Sequence, residues 1–352
     1  MRFRASRFEG PLMAARWDPQ LLFLAAVNVA LLGIGAVASG GKFIDPYNLQ
    51  SMASQLPEVG LLAIGVMLAM CSGNGGIDLS GIALANLSGV LSALLIQNFF
   101  SVDDTPNWFS AAFAAGAVFA GLLGGLFNGA LIAYVGLTPI LCTLGTQLFF
   151  TGLAVVLSNG RAVTVGAPDP LVELGAGTVF AVPISFAIFA ALAAIIGIVL
   201  KYTPFGLRLM LMGTNPDAAR FAGFPRPRIL LTTYALSGAL AGMAGVIIAA
   251  RNVNVKWDYG QSYLLIAILI VVMAGVRPEG GYGRVVCLFL SATALQLMSS
   301  MLNFMEFSNF FRDFGWGALL LLFLAVRRVD IREFIMAPFG IPRNSVRPPP
   351  GP

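Results

Sequence analysis

Long apolar runs fill this chain, separated by short clusters of Gly, Pro and charged residues. Between Asp104 and Arg161 no Asp, Glu, Lys or Arg occurs, and the same holds from Gly177 to Leu200, from Ile229 to Ala250 and from Gln261 to Val276. A helix needs about 20 such residues to cross about 30 Å of hydrocarbon. The runs are apolar on every face, without the alternation of outer-membrane strands. Lipid offers no partner to a free backbone amide, so the spanning form is the helix. The pattern predicts an all-α polytopic membrane helix bundle of about ten transmembrane helices, some discontinuous. They fall near residues 21–38, 56–72, 80–98, 109–135, 138–157, 179–200, 229–250, 262–276, 284–302 and 314–326.

Composition agrees: 58% of residues are hydrophobic, 11% are charged, and the mean hydropathy is +0.85. A soluble domain carries about 25% charge. The net charge of +5 would suggest nucleic acid in a soluble chain, but in a membrane protein basic residues collect in cytoplasmic loops. With the N-terminus inside, segments 1–20, 73–79, 136–137, 201–228, 277–283 and 327–352 hold fifteen Lys and Arg, against five in the opposite loops. The expected layout is a cytoplasmic N-terminal segment (1–20), a transmembrane domain (21–326) with a long cytoplasmic loop (201–228), and a partly disordered tail (327–352). Both termini are then cytoplasmic, on the inner face of a bacterial plasma membrane. Arg2, Arg4, Arg7 and Arg16 precede a first span too long for a cleavable signal.

The chain has no histidine, which excludes His-based catalysis. Cys71, Cys142 and Cys287 lie in or beside apolar runs, with no metal-binding spacing. The spans also lack paired carboxylates, which argues against a membrane-embedded enzyme. Small residues such as Gly121, Gly125 and Gly129, and Gly238, Gly242 and Gly245, are spaced for close helix packing.

Two segments carry candidate mechanism. In the stretch from Ser72 to Gly81, Asp78 is the only charge between Glu58 and Asp103. Asp78 or Ser80 could simply cap the helix that follows. Alternatively, Gly75 and Gly76 break a helix that lines a translocation path, with Asp78 fixing the break and Asn74 or Ser72 facing the path. Gly280 and Gly281 mark a similar break, a faint echo too weak to define a repeat. The second segment is the loop 201–228. Asn215 suits an N-cap, Pro216 a first turn and Gly223 a C′ position, which predicts a short helix. It could lie on the lipid surface or dock a soluble partner.

At these residues the chain resembles the permease subunits of bacterial ATP-binding-cassette sugar importers, the ribose/galactoside/xylose branch. The family's Gly-Gly-Ile-Asp-Leu-Ser stands intact at Gly75 to Ser80. Asn128-Gly129 with Tyr134, and Thr143-Leu144-Gly145-Thr146 with Gly152-Leu153, resemble two further elements. Gly213-x-Asn215-x-x-Ala218-Ala219-Arg220-x-x-Gly223 resembles the cytoplasmic loop that contacts the ATPase. The likeness runs from about Asn48 to Val326. There are departures: Thr151 replaces an Arg, Gly81-Ile82-Ala83 replaces Val-Gly-Ser, and two acids after Tyr263 are lost.

The resemblance implies a translocation subunit for a sugar or sugar-like solute. Its partners would be ABC ATPase subunits, a periplasmic solute-binding protein, a second permease subunit (homodimer or paralogue) and the lipid bilayer, with no nucleic acid. No phosphate-loop motif occurs, so no cofactor is expected on this chain, and ATP and Mg belong to the ATPase. The segment Pro216–Gly223, including Asp217, would sit in a groove of the ATPase with Arg220 in a polar contact. Candidates for the path or its gates are Ser72, Asn74, Asp78, Ser80, Asn128, Thr143, Thr146 and Gln147. A secondary transporter working alone is the competing class, but ion coupling usually takes several midplane charges, and Asp78 is the one on offer.

Overall fold

Proline and short polar side chains set where the helices begin. In the computed structural model, which describes residues 19–308 together with 311, 314–318 and 321, Pro46, Pro106, Pro139, Pro204 and Pro216 each open a helix. A first-turn proline gives up an amide that has no helical partner. The helices are α1 (Pro19–Ala38), α2 (Pro46–Cys71), α3 (Gly81–Ile96), α4 (Pro106–Ala130), α5 (Pro139–Ser158) and α6 (Asp169–Ala176). They continue with α7 (Ile184–Tyr202), α8 (Pro204–Thr214), α9 (Pro216–Phe221), α10 (Arg226–Asn252), α11 (Tyr263–Met273) and α12 (Val285–Phe304). Four two-residue strands form two pairs: β1 (Val163–Thr164) with β4 (Asn254–Val255), and β2 (Thr178–Val179) with β3 (Val182–Pro183).

The predicted all-α membrane bundle is present. Among the described residues seven helices are long and apolar enough to cross a membrane. At 16 and 11 residues, α3 and α11 are shorter. At 1.5 Å per residue α11 reaches only about 16 Å, half the hydrocarbon thickness. The expected helix breaks lie beside these two. Three expectations are adjusted. The second span starts at Pro46 rather than near 56 and runs through Pro57. The sixth starts at Ile184, because residues 178–183 form the β2–β3 hairpin. Of the tenth, 314–318 and 321 are helical and the rest lies outside the described residues, as do segments 1–18 and 327–352.

At the centre of the bundle, α2 and α10 are buried along most of their length, while α1, α5 and α7 are buried over less than a third of theirs. The α4–α10 contact is made by the small residues singled out from the sequence. A Cβ on Gly121 or Gly125 would strike the Gly238 or Tyr234 carbonyl, and one on Gly242 would strike the Ala117 carbonyl. Such contacts let two backbones meet where no hydrophobic effect drives association.

Loops sort onto two faces. On one, β1 pairs with β4, and Gly175 of α6 abuts the Ala250 carbonyl at the end of α10. On the other, the α2–α3 connection meets the end of α8 and the α11–α12 loop, where the Gly281 amide donates to the Cys71 carbonyl at 3.2 Å. Gln20, at the start of α1, donates to the Met273 carbonyl at the end of α11, at 2.7 Å.

Candidate functional site

The break after α2 is held by polar contacts made across long sequence distances. The Ser72 hydroxyl donates to the Ala69 carbonyl (2.7 Å), ending the helix. Gly73, Asn74 and Gly75 then take left-handed φ values of 78°, 56° and 68°. Asn74 is the costly one of the three, because only glycine enters that region freely. Gly76 is obligatory for another reason: a Cβ there would collide with the Ala69 carbonyl.

Asp78 is 1% exposed. Its Oδ1 accepts from the Ser80 amide (3.0 Å) and the Ser80 hydroxyl (2.7 Å), and its Oδ2 accepts from Ser237 Oγ of α10 (2.7 Å). Asn128 Nδ2 of α4 donates to Ser80 Oγ at 2.8 Å. Thr143 Oγ1 of α5 lies 2.9 Å from the carbonyls of both Ile77 and Pro139. The sequence left open whether Asp78 or Ser80 caps α3. Asp78 takes the amide just before the helix, while the Ser80 side chain makes no capping bond and turns to Asp78 and Asn128. Three donors and the positive end of α3 compensate a carboxylate that would otherwise be expensive in an apolar interior.

Of the candidate path residues, Asp78, Ser80 and Asn128 are joined directly, and Thr143 reaches them through the Ile77 backbone. Thr146 bonds back to the Thr143 carbonyl (3.3 Å), and the half-buried Gln147 stands apart on α5. Ser237 was missed, because a serine inside an apolar helix reads as packing. The space beside Asp78, lined by Leu62, Val66, Ser237 and Leu264, is about 10 Å³. On the same measure one water takes about 10–15 Å³.

Asn74 is exposed and lies across the break from Asp78. With Ser72, Met212, Pro216 and Arg226 it lines a cleft of about 120 Å³ that reaches the start of α9. Three backbones cross there. A Cβ on Gly213 would strike the Cys71 carbonyl and come within 2.5 Å of the Gly281 amide. One on Gly73 would sit 2.8 Å from Gly213 Cα, and one on Gly280 would strike Gly73. Gly280 and Gly281 take left-handed φ values of 95° and 80°.

Helix α9 follows directly from this junction. Asn215 Oδ1 accepts from the Ala218 amide at 3.0 Å, and Gly223, at φ 73°, closes the helix, as the sequence predicted. Ala219 alone is buried, while Asp217, Ala218 and Arg220 are exposed and Phe221 is 92% exposed. A cleft of about 300 Å³ lined by Met212, Asp217, Arg220 and Arg226 lies beside it.

On the opposite face, polar residues that the sequence reading passed over line a groove between α2 and α12. One chamber of about 230 Å³ is walled by Asn48, Ser51, Gln55, Ser300 and Asn303. The next, about 170 Å³, is bounded by Gln55, Arg251, Tyr263, Gln296, Ser299 and Trp316. Gln296 Nε2 donates to Gln55 Oε1 between them at 3.2 Å. Glu58, 3% exposed, accepts from Arg251 Nη1 (2.6 Å) and from the Tyr263 hydroxyl (2.8 Å), so the charge of Arg251 is balanced.

Seven helices of membrane-crossing length and two shorter apolar ones, packed around a buried carboxylate network with clefts at both faces, are the architecture of a multi-pass membrane protein. Residues 48–324 match the family described as "Branched-chain amino acid transport system / permease component", and the chain belongs to it. It is 29% identical over 315 residues to the "Ribose import permease protein RbsC" of Bacillus subtilis (strain 168), covering 87% of this chain and 90% of that protein. The "Autoinducer 2 import system permease protein LsrD" of Enterobacter sp. (strain 638) is 28% identical over 341 residues, covering 95% of this chain and all of that protein. The protein of the same name from Klebsiella pneumoniae is 27% identical over 327 residues. No solved structure matches. The chain is thus the inner-membrane permease subunit of an ATP-binding-cassette importer, a transporter component.

Proposed function

We propose that this permease carries a sugar or sugar-like solute, delivered by a periplasmic binding protein and driven by ATPase subunits that hold α9. The cargo class rests on the ribose and autoinducer-2 import systems of its relatives. The observation that carries the coupling role is α9 itself: a capped helix with one buried residue, Ala219, and an almost wholly exposed Phe221. Phe221 stands beside the cleft lined by Met212, Asp217, Arg220 and Arg226, so a docking partner would meet an apolar ring and charged side chains together. Loop 201–228 then faces the cytoplasm, as do both termini, with 21–326 as the transmembrane domain. ATP and Mg are bound by the ATPase, and a second permease, identical or paralogous, completes the pore.

Movement of α9 is passed on through the Gly73–Gly213–Gly280 crossing to the break that holds Asp78. With Ser72, Asn74, Ser80, Asn128, Thr143, Thr146 and Gln147, Asp78 belongs to a gate that is shut in this conformation, its cavity having room for about one water. The test is Arg220→Glu in the complete transporter. Membrane insertion is retained while uptake falls and ATP hydrolysis no longer responds to loaded binding protein. Unchanged coupled uptake would remove α9 from the role.

A further inference from the structure

Polar residues on membrane-spanning helices are expensive unless they face protein or a cavity. Asn48, Ser51 and Gln55 recur at helical spacing along α2, and Gln296, Ser300 and Asn303 do so along α12. Both stripes face the same groove. Together its chambers offer about 170 and about 230 Å³, on the measure by which one water takes about 10–15 Å³.

The first chamber is lined mainly by polar side chains, and the second by polar and aromatic ones together with the aliphatic Leu56, Val59, Ile266, Ile270, Ala292 and Leu295. Side-chain amides supply paired donors and acceptors, and hydroxyls supply both from one atom. The one cation, Arg251, is neutralised by Glu58 at 2.6 Å, leaving no net charge among the described lining residues. Tyr263 and Trp316 add aromatic surface at the second chamber. Such a wall suits a neutral polyhydroxylated molecule and discriminates against ions. The Gln55–Gln296 bond stands between the two chambers and must open for a molecule to pass. At 3.2 Å between neutral, exposed amides it is a weak closure.

We infer that the α2–α12 groove is the outer segment of the solute path, a binding site for a neutral polyol or sugar, with the Gln55–Gln296 pair as its constriction. This rests on the importer reading for its cargo class, but not for its geometry. The test uses the full transporter with ATPase and binding protein, in two arms. In the first, uptake of radiolabelled ribose and a panel of pentoses and hexoses is compared between the native chain and the Gln55→Leu/Gln296→Leu double variant. Uptake about tenfold lower is expected, from two lost hydrogen-bonding groups of ordinary strength, with assembly of the complex unchanged. Equal uptake overturns the assignment.

The second arm needs no cargo. The three native cysteines are all buried, so Gln55→Cys and Asn303→Cys introduce the thiols that are read. Both should react with a membrane-impermeant methanethiosulfonate added outside, whereas Asn74→Cys, on the other face, should not. Failure of Gln55→Cys to label overturns the groove as a path. Should the native transporter take up no sugar at all, the cargo class fails, and the labelling arm alone decides the geometry.

Discussion

Replacing Asp78 separates its structural contribution from any need for its charge. The carboxylate accepts three hydrogen bonds, from the Ser80 amide, Ser80 Oγ and Ser237 Oγ, in a site 1% exposed. In Asp78→Ala all three donors lose their acceptor. Each buried donor left unpaired costs about 1–3 kcal/mol. The two hydroxyls can rotate: Ser237 toward a carbonyl one turn earlier in α10, Ser80 into the cavity. The Ser80 amide cannot, so the net cost is about 3 kcal/mol, within the range for one stranded amide and two weakened hydroxyls. Asp78→Asn keeps an acceptor for the Ser80 amide and presents an NH2 to Ser237, whose oxygen can accept, and it also relieves the desolvation of a buried charge. Its cost is about 1 kcal/mol or less, the worth of one ordinary hydrogen bond. Thermal unfolding of the detergent-purified protein, followed by loss of the monodisperse chromatographic peak, reads both. Asp78→Ala should lower the midpoint by about 6–12 °C, at about 2–4 °C per kcal/mol for large domains, and Asp78→Asn by a third of that or less. An alanine variant as stable as the native protein, or an asparagine variant worse than alanine, would refute this account of the network.

Other sites give sharper contrasts. Gly213→Ala places a Cβ against the Cys71 carbonyl and the Gly281 amide and should abolish the folded, monodisperse protein. Gly33→Ala in α1, with no atom within 4 Å of the new carbon, should leave the yield unchanged or raise the midpoint. Asn215→Ala removes the cap of α9 at about 1 kcal/mol, too little to unfold the chain. It should lower coupled uptake while leaving the unfolding midpoint within error. For Glu58 and Arg251, a double-mutant cycle with glutamine at both positions should give a coupling energy of about 1–3 kcal/mol in thermal unfolding. That lies in the range of residues in contact within one network, and the Arg251 side chain, 27% exposed, keeps part of its hydration. A coupling near zero would show that the pair adds nothing to folding.

What could be read in advance divides by sequence distance. Apolar runs about as long as a bilayer is thick pointed to the bundle, and seven helices of the described residues are long and apolar enough to cross a membrane. The caps of α9 were legible because Asn215, Pro216 and Gly223 act within one helical turn of the groups they serve. Asp78 stood out because it is alone, but its partner Ser237 lies 159 residues away and carries no local mark. The groove was missed for a related reason. Asn48, Ser51 and Gln55 are polar enough to read as a loop, which placed the start of the second span near 56. Only their spacing of three and four residues, matched by Gln296, Ser300 and Asn303, signals one helical face. That spacing says nothing of which helix it meets, and the opposing face comes from packing. The short α11 was legible in part: its run near 262–276 falls short of a full span, and the left-handed Gly275 ends the helix at Met273.

The central claim is that this chain moves solute only when an ATPase drives it. The direct measurement is uptake of a radiolabelled sugar panel into proteoliposomes that hold the permease and its ATPase, with binding protein added outside and ATP trapped inside. Accumulation that requires ATP, the ATPase and the binding protein together, and that stops with Arg220→Glu, is the predicted result. Accumulation by the permease alone, or driven by an ion gradient without ATP, would contradict it.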